Sequence, residues 1–252
     1  MLPSKPVLAL LHGWGMNARV FDTLADHLTD DFELRALQMP GHGGRAALPH
    51  NTLQSWADDL AQQLPQESGQ HSTLLGWSLG GQVAMRAALD HPDKISRLVL
   101  LASTPAFVAT ADWQAGMALD DLETFGTALI ADQEATLLRF LSLQTRGMPE
   151  QKAVLQALRQ AFLSVPPADA RALASGLAML RHTDLRASVP QLLQPTLVVH
   201  GALDTLTPPA AGEWLAANLP NARHAVFPRA AHAPQVSHSL ELAAAIRDFA
   251  HG

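Results

Sequence analysis

Short apolar segments that favour β-strands alternate along this chain with longer segments whose apolar residues recur at helical spacing. Several short segments are apolar at consecutive positions, which is typical of strands buried on both faces of a sheet. Strands are predicted over residues 7–11, 32–37, 72–76, 98–101, 196–200 and 224–227. Helices are predicted over residues 18–28, 52–64, 79–89, 209–218 and from 237 onward. The alternation predicts an α/β fold, with a mostly parallel sheet covered by helices on both faces.

The alternation stops between residues 106 and 189, where only helical patterns occur. The predicted helices there cover residues 119–130, 134–144, 151–163 and 168–180, with prolines between them. We therefore predict an α/β core formed by residues 1–105 and 190–252. Residues 106–189 are predicted to form a helical cap over the carboxyl edge of the sheet.

Composition excludes several classes of protein. The chain of 252 residues is 48% hydrophobic, which is enough apolar material for a large core, and it contains no cysteine. Disulfides, thiolate metal sites and a cysteine nucleophile are therefore excluded. A net charge of −6 without a Lys/Arg cluster makes a nucleic-acid partner a poor expectation. The 12 histidines show no metal-binding spacing, and neither a dinucleotide nor a phosphate-loop motif follows a strand, so no metal or cofactor is predicted.

The N-terminal residues lack the basic start and apolar run of a signal peptide. No apolar stretch approaches the ~20 residues that a transmembrane helix needs. A soluble, cytoplasmic protein without a membrane partner is the expectation.

The most informative motif is Gly76-Trp-Ser78-Leu-Gly80-Gly81, between a predicted strand and a predicted helix. A serine on such a sharp turn presents its hydroxyl above the sheet edge, and the flanking glycines avoid clashes with neighbouring backbone. Ser78 is therefore predicted to be a nucleophile. The alternative is an ordinary glycine-rich turn.

A second glycine-rich loop, His12-Gly-Trp14-Gly15, follows the first predicted strand. It can turn the Trp14 N–H toward the point that Ser78 faces, where the N–H of Leu79 begins the next helix. Together these two donors would form an oxyanion hole, each worth ~3 kcal/mol of transition-state stabilisation. Alternatively, the loop only ends the strand and Trp14 belongs to the core.

A serine nucleophile needs a base and an acid that orients the base. In chains with this motif the acid and the histidine follow the serine in that order. Asp204 follows a late strand, and His232 precedes the last helix. These residues are predicted to be the acid and the base, with Asp184 as the alternative acid.

Several of these segments resemble the α/β-hydrolase superfamily, namely residues 12–15, 40–43, 76–81, 203–204 and 231–234. More narrowly, the chain resembles the pimeloyl-[acyl-carrier protein] methyl ester esterases of biotin synthesis. That resemblance rests on residues 11–17, 76–81, 102–107, 139–145 and 183–186, so it extends into the predicted cap.

The resemblance implies Ser78 as nucleophile, His232 as base and Asp204 as its orienting acid, with Trp14 and Leu79 at the oxyanion hole. It also implies an acyl pocket, whose lining segment on the cap is Phe140, Leu141, Ser142, Leu143 and Gln144. Contacts to an acidic acyl-carrier protein are expected from Arg139, Arg146, Lys152 and Arg159. The alternative for these four is a solvated helix face, and for Phe140 it is the cap core.

The implied activity is hydrolysis of the methyl ester of pimeloyl-[acyl-carrier protein] with release of methanol, by a monomer without a cofactor. One alternative is a broad short-chain carboxylesterase or a carbon–carbon bond hydrolase without a carrier-protein partner. Another is a non-catalytic ligand-binding protein of the same fold.

Overall fold

The computed structural model describes residues 5–65 and 72–251. Its six strands form one parallel sheet in the order β2-β1-β3-β4-β5-β6. The strands are β1 Val7–Leu11, β2 Glu33–Leu37, β3 Ser72–Trp77, β4 Ile95–Leu101, β5 Thr196–Gly201 and β6 Ala222–Phe227. The predicted α/β fold is therefore confirmed.

In the described part of the chain, ten α-helices follow or connect the strands. They are α1 Asp22–Asp26, α2 Leu53–Gln63, α3 Leu79–Asp90, α4 Leu119–Ala131, α5 Gln133–Leu143, α6 Gln151–Leu163, α7 Ala170–His182, α8 Pro209–Asn218, α9 Pro234–Ser237 and α10 Ser239–His251. Short 3₁₀-helices cover Ala18–Phe21 and Val189–Gln191.

Two predicted helices differ from those observed. The helix predicted over residues 18–28 is divided into the 3₁₀-helix Ala18–Phe21 and α1. Asn17 caps the first turn: its side chain accepts a hydrogen bond from the Arg19 N–H, and its carbonyl accepts one from the Val20 N–H over 3.2 Å, which is the spacing of a 3₁₀-helix. The helix predicted from residue 237 onward begins at Ser239, after a separate turn, α9. His238 has φ −134° and ψ 39°, which breaks the helical path between the two.

The inner strands of the sheet lie at the centre of the hydrophobic core. Every residue of β1, β3 and β5 is buried, whereas β2 and β6, at the two edges of the sheet, are partly exposed. Strands covered by helices on both faces need apolar side chains on both, which explains the continuous apolar runs in the sequence.

The four helices between β4 and β5, α4 to α7, fall within the segment predicted to form a cap. Long-range hydrogen bonds attach these helices to the loops that follow β1 and β2. Trp14 Nε1 donates to the Leu173 carbonyl over 2.9 Å, and Asn17 Nδ2 donates to the Ala161 carbonyl over 2.9 Å. The Asp169 N–H donates to the Gly41 carbonyl over 2.8 Å. The helices therefore lie at the carboxyl edge of the sheet.

Within residues 5–65 and 72–251, no helix is both long and apolar enough to cross a membrane. The predicted absence of a signal peptide depends partly on Met1–Ser4, which lie outside the described residues, as do residues 66–71 and Gly252.

Candidate active site

Ser78 occupies a strained turn between β3 and α3. Its backbone angles, φ 57° and ψ −121°, lie in a region that residues other than glycine rarely adopt. A Cβ atom on Gly76 would meet the Gly80 backbone, and one on Gly80 would meet the carbonyl oxygens of Leu11 and His12. The glycines of the motif therefore allow the turn to pack closely against the end of β1.

Three side chains from different parts of the chain meet at this turn. Ser78 Oγ lies 3.0 Å from His232 Nε2, and His232 Nδ1 lies 2.8 Å from Asp204 Oδ2. Asp204 and His232 are buried, and the sheet brings them to the same edge, after β5 and β6. The chain of hydrogen bonds has the arrangement of a nucleophile, a base and an orienting acid.

The loop after β5 holds the Asp204 carboxylate firmly. Its Oδ1 accepts from the N–H groups of Leu206 and Thr207 over 2.9 and 3.0 Å, and Thr207 Oγ1 lies 2.8 Å from Oδ2. Burial alone would raise the pKa of Asp204, but the charge of His232 and hydrogen bonds from His232 and Thr207 hold this pKa below its usual value. The carboxylate therefore stays ionised and keeps His232 oriented.

His232 is fixed through its backbone as well as its ring. Its N–H donates to the Gln144 carbonyl over 3.0 Å, and its carbonyl accepts from Trp77 Nε1 over 2.7 Å. The Trp77 and His232 rings lie 5.6 Å apart. Because Gln144 directly follows α5 and Trp77 ends β3, contacts from both elements set the position of this histidine.

The Trp14 and Leu79 amides remain available for an oxyanion. Neither N–H has an acceptor in the part of the chain that the structure describes. Leu79 is the first residue of α3, where free N–H groups and the helix dipole favour negative charge. A Cβ atom on Gly13 would lie 3.1 Å from Ser78 Cβ, so the loop that carries Trp14 passes directly beside the nucleophile.

A cavity of about 690 Å³ opens at Ser78 and His232. Its walls are largely apolar. The rings of Trp14, Phe125 and Phe140, which line it, pack against one another in edge-to-face or tilted orientations. The Trp14 ring lies 5.4 Å from that of Phe125 and 5.3 Å from that of Phe140. A cavity with a largely apolar surface beside the nucleophile suits an acyl chain.

The cap segment predicted to line the pocket does so only in part. Phe140, Ser142 and Leu143 line the cavity, whereas Leu141 and Gln144 do not. Leu141 is buried in the hydrophobic core on the opposite face of α5, and Gln144 is buried, with its carbonyl accepting from the His232 N–H. A helix presents only one face to a cavity, so three of the five predicted residues line it, and the role of the segment in substrate binding stays a prediction. Leu79 does not line the cavity either, so its predicted role can involve only its backbone N–H.

The four predicted carrier-protein contacts fall into two pairs. Arg139 and Arg146 line the cavity, together with Asp121. Lys152 and Arg159 are exposed on α6 and do not line it. Of the four, only Arg139 and Arg146 therefore border the cavity.

Asp184, the alternative acid, lies elsewhere. Its carboxylate forms an ion pair with Arg186 over 2.6 Å on the protein surface. The geometry therefore favours Asp204 as the partner of His232. No group of three or more His, Cys, Asp or Glu that could hold a metal occurs among the described residues.

Two supporting hydroxyl groups were not identified from the sequence. Thr207 contacts Asp204, and Ser103 Oγ donates to the Ser78 carbonyl over 2.9 Å. The Asp-x-x-Thr spacing of residues 204–207 is a signal for a local side-chain-to-backbone turn and could have indicated Thr207. No local signal marks Ser103.

Three other histidines are buried beside these elements. Burial lowers the pKa of His12 to about 3, and it lowers the pKa values of His42 and His200 to about 4. His12 supports the loop after β1, because its Nε2 accepts from the Met39 N–H over 3.1 Å and its Nδ1 lies 2.8 Å from the Gly13 carbonyl. A neutral imidazole is required for that acceptor role.

These lowered pKa values predict a stability that falls in mild acid. The unfolded chain protonates all three histidines near pH 6.5, whereas the folded chain does not until about pH 3 to 4. Below pH 6.5 the unfolded state therefore binds more protons, and the free energy of unfolding decreases by up to ~1.4 kcal/mol per pH unit for each histidine. Urea unfolding between about pH 7 and pH 5 measures this decrease. The variant His200→Gln should show a smaller decrease in the free energy of unfolding per pH unit. The control His251→Gln, at an exposed site, should show the same decrease as the wild type. A free energy of unfolding that is independent of pH would contradict the prediction.

Comparison with known proteins gives the family. Residues 6–239 match the family model described as alpha/beta hydrolase fold. Two curated relatives are named pimeloyl-[acyl-carrier protein] methyl ester esterase. The protein of Nitrosomonas europaea is 42% identical over 232 residues, which are 92% of this chain and 90% of the relative. That of Aromatoleum aromaticum is 40% identical over 254 residues, with 99% of this chain and 100% of the relative covered.

Solved structures show the same fold. An esterase from Exiguobacterium antarcticum superimposes with a TM-score of 0.88 at 22% identity, covering 100% of this chain and 94% of the esterase. A bromoperoxidase from Bacillus anthracis superimposes with a TM-score of 0.89 at 22% identity, covering 99% of this chain and 93% of the other. The chain therefore belongs to the alpha/beta hydrolase family and, within it, to the family of the pimeloyl-[acyl-carrier protein] methyl ester esterases.

Proposed function

We propose that this protein is a serine carboxylesterase that hydrolyses the methyl ester of pimeloyl-[acyl-carrier protein], releasing methanol, in biotin synthesis. The observation that carries the proposal is the 3.0 Å contact between Ser78 Oγ and His232 Nε2, at a largely apolar cavity lined both by the loops after the strands and by α4, α5 and α7. The substrate is inferred from the names of relatives that cover nearly the whole chain. A carrier-bound intermediate of biosynthesis implies a cytoplasmic enzyme.

In the first half of the reaction, Ser78 Oγ attacks the carbonyl carbon of the methyl ester while His232 Nε2 takes its proton. Negative charge develops on the carbonyl oxygen, and the free N–H groups of Trp14 and Leu79 stabilise it. Each such donor typically contributes ~3 kcal/mol to the transition state. The tetrahedral intermediate then expels methanol, which receives the proton from His232, and an acyl ester of Ser78 remains.

In the second half, a water molecule attacks the acyl ester and gives a proton to His232. The bond to Ser78 Oγ breaks, the serine recovers its proton from His232, and a free carboxylic acid is released. The negative charge of Asp204 stabilises the imidazolium in both halves. One chain supplies all three groups, so a monomer is sufficient for the reaction.

The charges around the cavity suit a substrate attached to an acidic protein. Arg139 and Arg146 line the cavity, and neither forms an ion pair with a carboxylate among the described residues. An unpaired guanidinium group can bind phosphate or carboxylate groups of a partner without first breaking an internal ion pair. Lys152 and Arg159 do not line the cavity, but both are exposed, and they are the two charged residues of α6.

A prediction follows for the two arginines at the cavity. The double variant Arg139→Gln/Arg146→Gln should lower kcat/KM for the carrier-bound methyl ester by roughly tenfold or more, since each lost charge-assisted contact costs on the order of 1.5–3 kcal/mol when fully formed. The loss for a small uncharged ester should be smaller. The control is Arg19→Gln, which removes an exposed arginine that lies in the 3₁₀-helix Ala18–Phe21 and does not line the cavity. Equal losses for both substrates would contradict a carrier-binding role.

The direct test is mass spectrometry of pimeloyl-[acyl-carrier protein] methyl ester incubated with the protein. We expect loss of the methyl group from the carrier-bound chain, with the thioester to the carrier left intact. Ser78→Ala should leave the substrate unchanged. Hydrolysis of free short-chain methyl esters at least as fast as the carrier-bound ester would favour a broad carboxylesterase instead.

A further inference from the structure

Thr207 is buried at the junction of three groups of the site, although it is not one of the reacting residues. Its Oγ1 lies 2.8 Å from Asp204 Oδ2, 3.0 Å from the Ala102 carbonyl oxygen and 3.3 Å from His232 Nδ1. Its N–H donates to the other carboxylate oxygen, Oδ1, over 3.0 Å. One residue therefore contacts both oxygens of Asp204 and the ring nitrogen that Asp204 orients.

The Thr207 hydroxyl has a single proton and two acceptors within reach. When it donates to Asp204 Oδ2, it shares that oxygen with the Nδ1–H of His232, which weakens the attraction of the carboxylate for the imidazole proton. When it donates to the Ala102 carbonyl, Asp204 Oδ2 accepts a hydrogen bond from His232 Nδ1–H without competition from Thr207. A rotation of the hydroxyl thus changes how strongly Asp204 stabilises the imidazolium.

The second acceptor belongs to a strained part of the backbone. Ala102 has a φ of 44°, and with Ser78 it is one of two residues other than glycine with positive φ in the part of the chain described. Its N–H donates to the Val199 carbonyl over 2.8 Å, and its carbonyl accepts from Thr207. Thr207 therefore links the end of β4 to the loop that carries Asp204.

We propose that Thr207 is a positioning residue, which acts through Asp204 to set the orientation and proton affinity of His232. The inference rests on the proposed roles of Ser78, His232 and Asp204 in ester hydrolysis. The hydroxyl donates to Asp204 while His232 is neutral and turns to the Ala102 carbonyl as the imidazolium forms.

Other charged and titratable groups also face the Asp204–His232 pair. His200, at the end of β5, interacts electrostatically with both members, and His224 on β6 acts on His200. Arg139, Arg146 and Asp121 line the cavity that His232 faces. Substitution of Thr207 by Val leaves all of these groups in place and replaces only the hydroxyl by a methyl group of similar size.

The experiment compares Thr207→Val with Thr207→Ser and with the control Thr196→Val. Thr196 is also buried, and its hydroxyl donates to the Gln194 carbonyl over 2.9 Å at the far end of β5. The readout is the acid limb of kcat/KM for p-nitrophenyl butyrate, whose midpoint reports protonation of the base. In Thr207→Val the midpoint should rise by roughly 0.5 to 1 pH unit, since one hydrogen bond to a charged group is lost. Thr207→Ser should restore the wild-type midpoint, and Thr196→Val should retain it.

A measurement that does not depend on turnover separates this inference from the proposed function. In a Ser78→Ala background, NMR titration of the His232 ring should show the same upward shift with Thr207→Val, with the resonance assigned by His232→Gln. A change in unfolding temperature without a shifted midpoint would reduce Thr207 to a structural residue and overturn the inference. Failure to demethylate the carrier-bound ester, with the shift present, would instead overturn the proposed substrate.

Discussion

Replacement of Ser78 by Ala is expected to lower kcat for ester hydrolysis by at least about 10⁴-fold while the protein stays folded. The variant retains the free N–H groups of Trp14 and Leu79 and the apolar cavity, so a residual acceleration over water is expected. It lacks the atom that forms the acyl bond, and His232 alone cannot replace that step. The strain of the turn is similar for Ala, because both residues carry a Cβ atom at the same positive φ.

The measurement is kcat and kcat/KM with p-nitrophenyl butyrate, together with thermal unfolding followed by circular dichroism. Ser164→Ala, at an exposed serine after α6, is a matched control that should keep wild-type activity. A Ser78→Ala protein with activity within tenfold of wild type would contradict the proposed nucleophile. A folded variant without a nitrophenol burst would support it.

The local sequence was sufficient to predict where Ser78 lies. Glycines on both sides of a serine, between an apolar strand and a helix, leave few other backbone paths, and the structure has this turn. The alternation of strands and helices was also predictable, because apolar residues occur at consecutive positions in buried strands and recur every three to four positions in amphipathic helices. Asp204 and His232 followed from their order in the chain, and the sheet brings both to the same edge.

The lining of the cavity was harder to predict because it depends on the rotation of α5 about its own axis. In α5, Leu137 and Leu141 are one turn apart and both are buried in the core, whereas Phe140 and Leu143 face the cavity. The helical period could have separated these two faces. It could not have shown which face meets the active site, since that depends on how α5 packs against α4 and α6.

The supporting hydrogen bonds depend on contacts between distant segments. Ser103 reaches the Ser78 carbonyl from the loop after β4, and Trp77 reaches the His232 carbonyl across 155 positions of sequence. Likewise, the burial of His12, His42 and His200 is a result of packing and not of any local pattern. These features require the three-dimensional arrangement of the loops.

The second large effect is expected for Asp204→Asn, which should lower kcat by about 10⁴-fold, as the same change does in other Ser–His–Asp enzymes. The Leu206 and Thr207 N–H groups both donate to Oδ1, so they would hold the carboxamide oxygen of the asparagine at that position. Its NH₂ group would then face His232 Nδ1 at the place where Oδ2 now lies 2.8 Å away. A donor at that position requires Nδ1 to be the acceptor and places the ring proton on Nε2, where it cannot accept the proton of Ser78.

The comparison that tests this orientation is with Asp204→Ala and Asp184→Asn. Alanine removes the carboxylate without presenting a donor, so His232 can still adopt the productive tautomer for part of the time, and Asp204→Ala should be more active than Asp204→Asn. Asp184→Asn should retain near wild-type kcat, because that carboxylate is paired with Arg186 on the surface. A large loss in Asp184→Asn with little loss in Asp204→Asn would reverse the assignment of the acid. If instead asparagine and alanine at position 204 were equally inactive, the loss would come from the missing charge and not from the tautomer of His232.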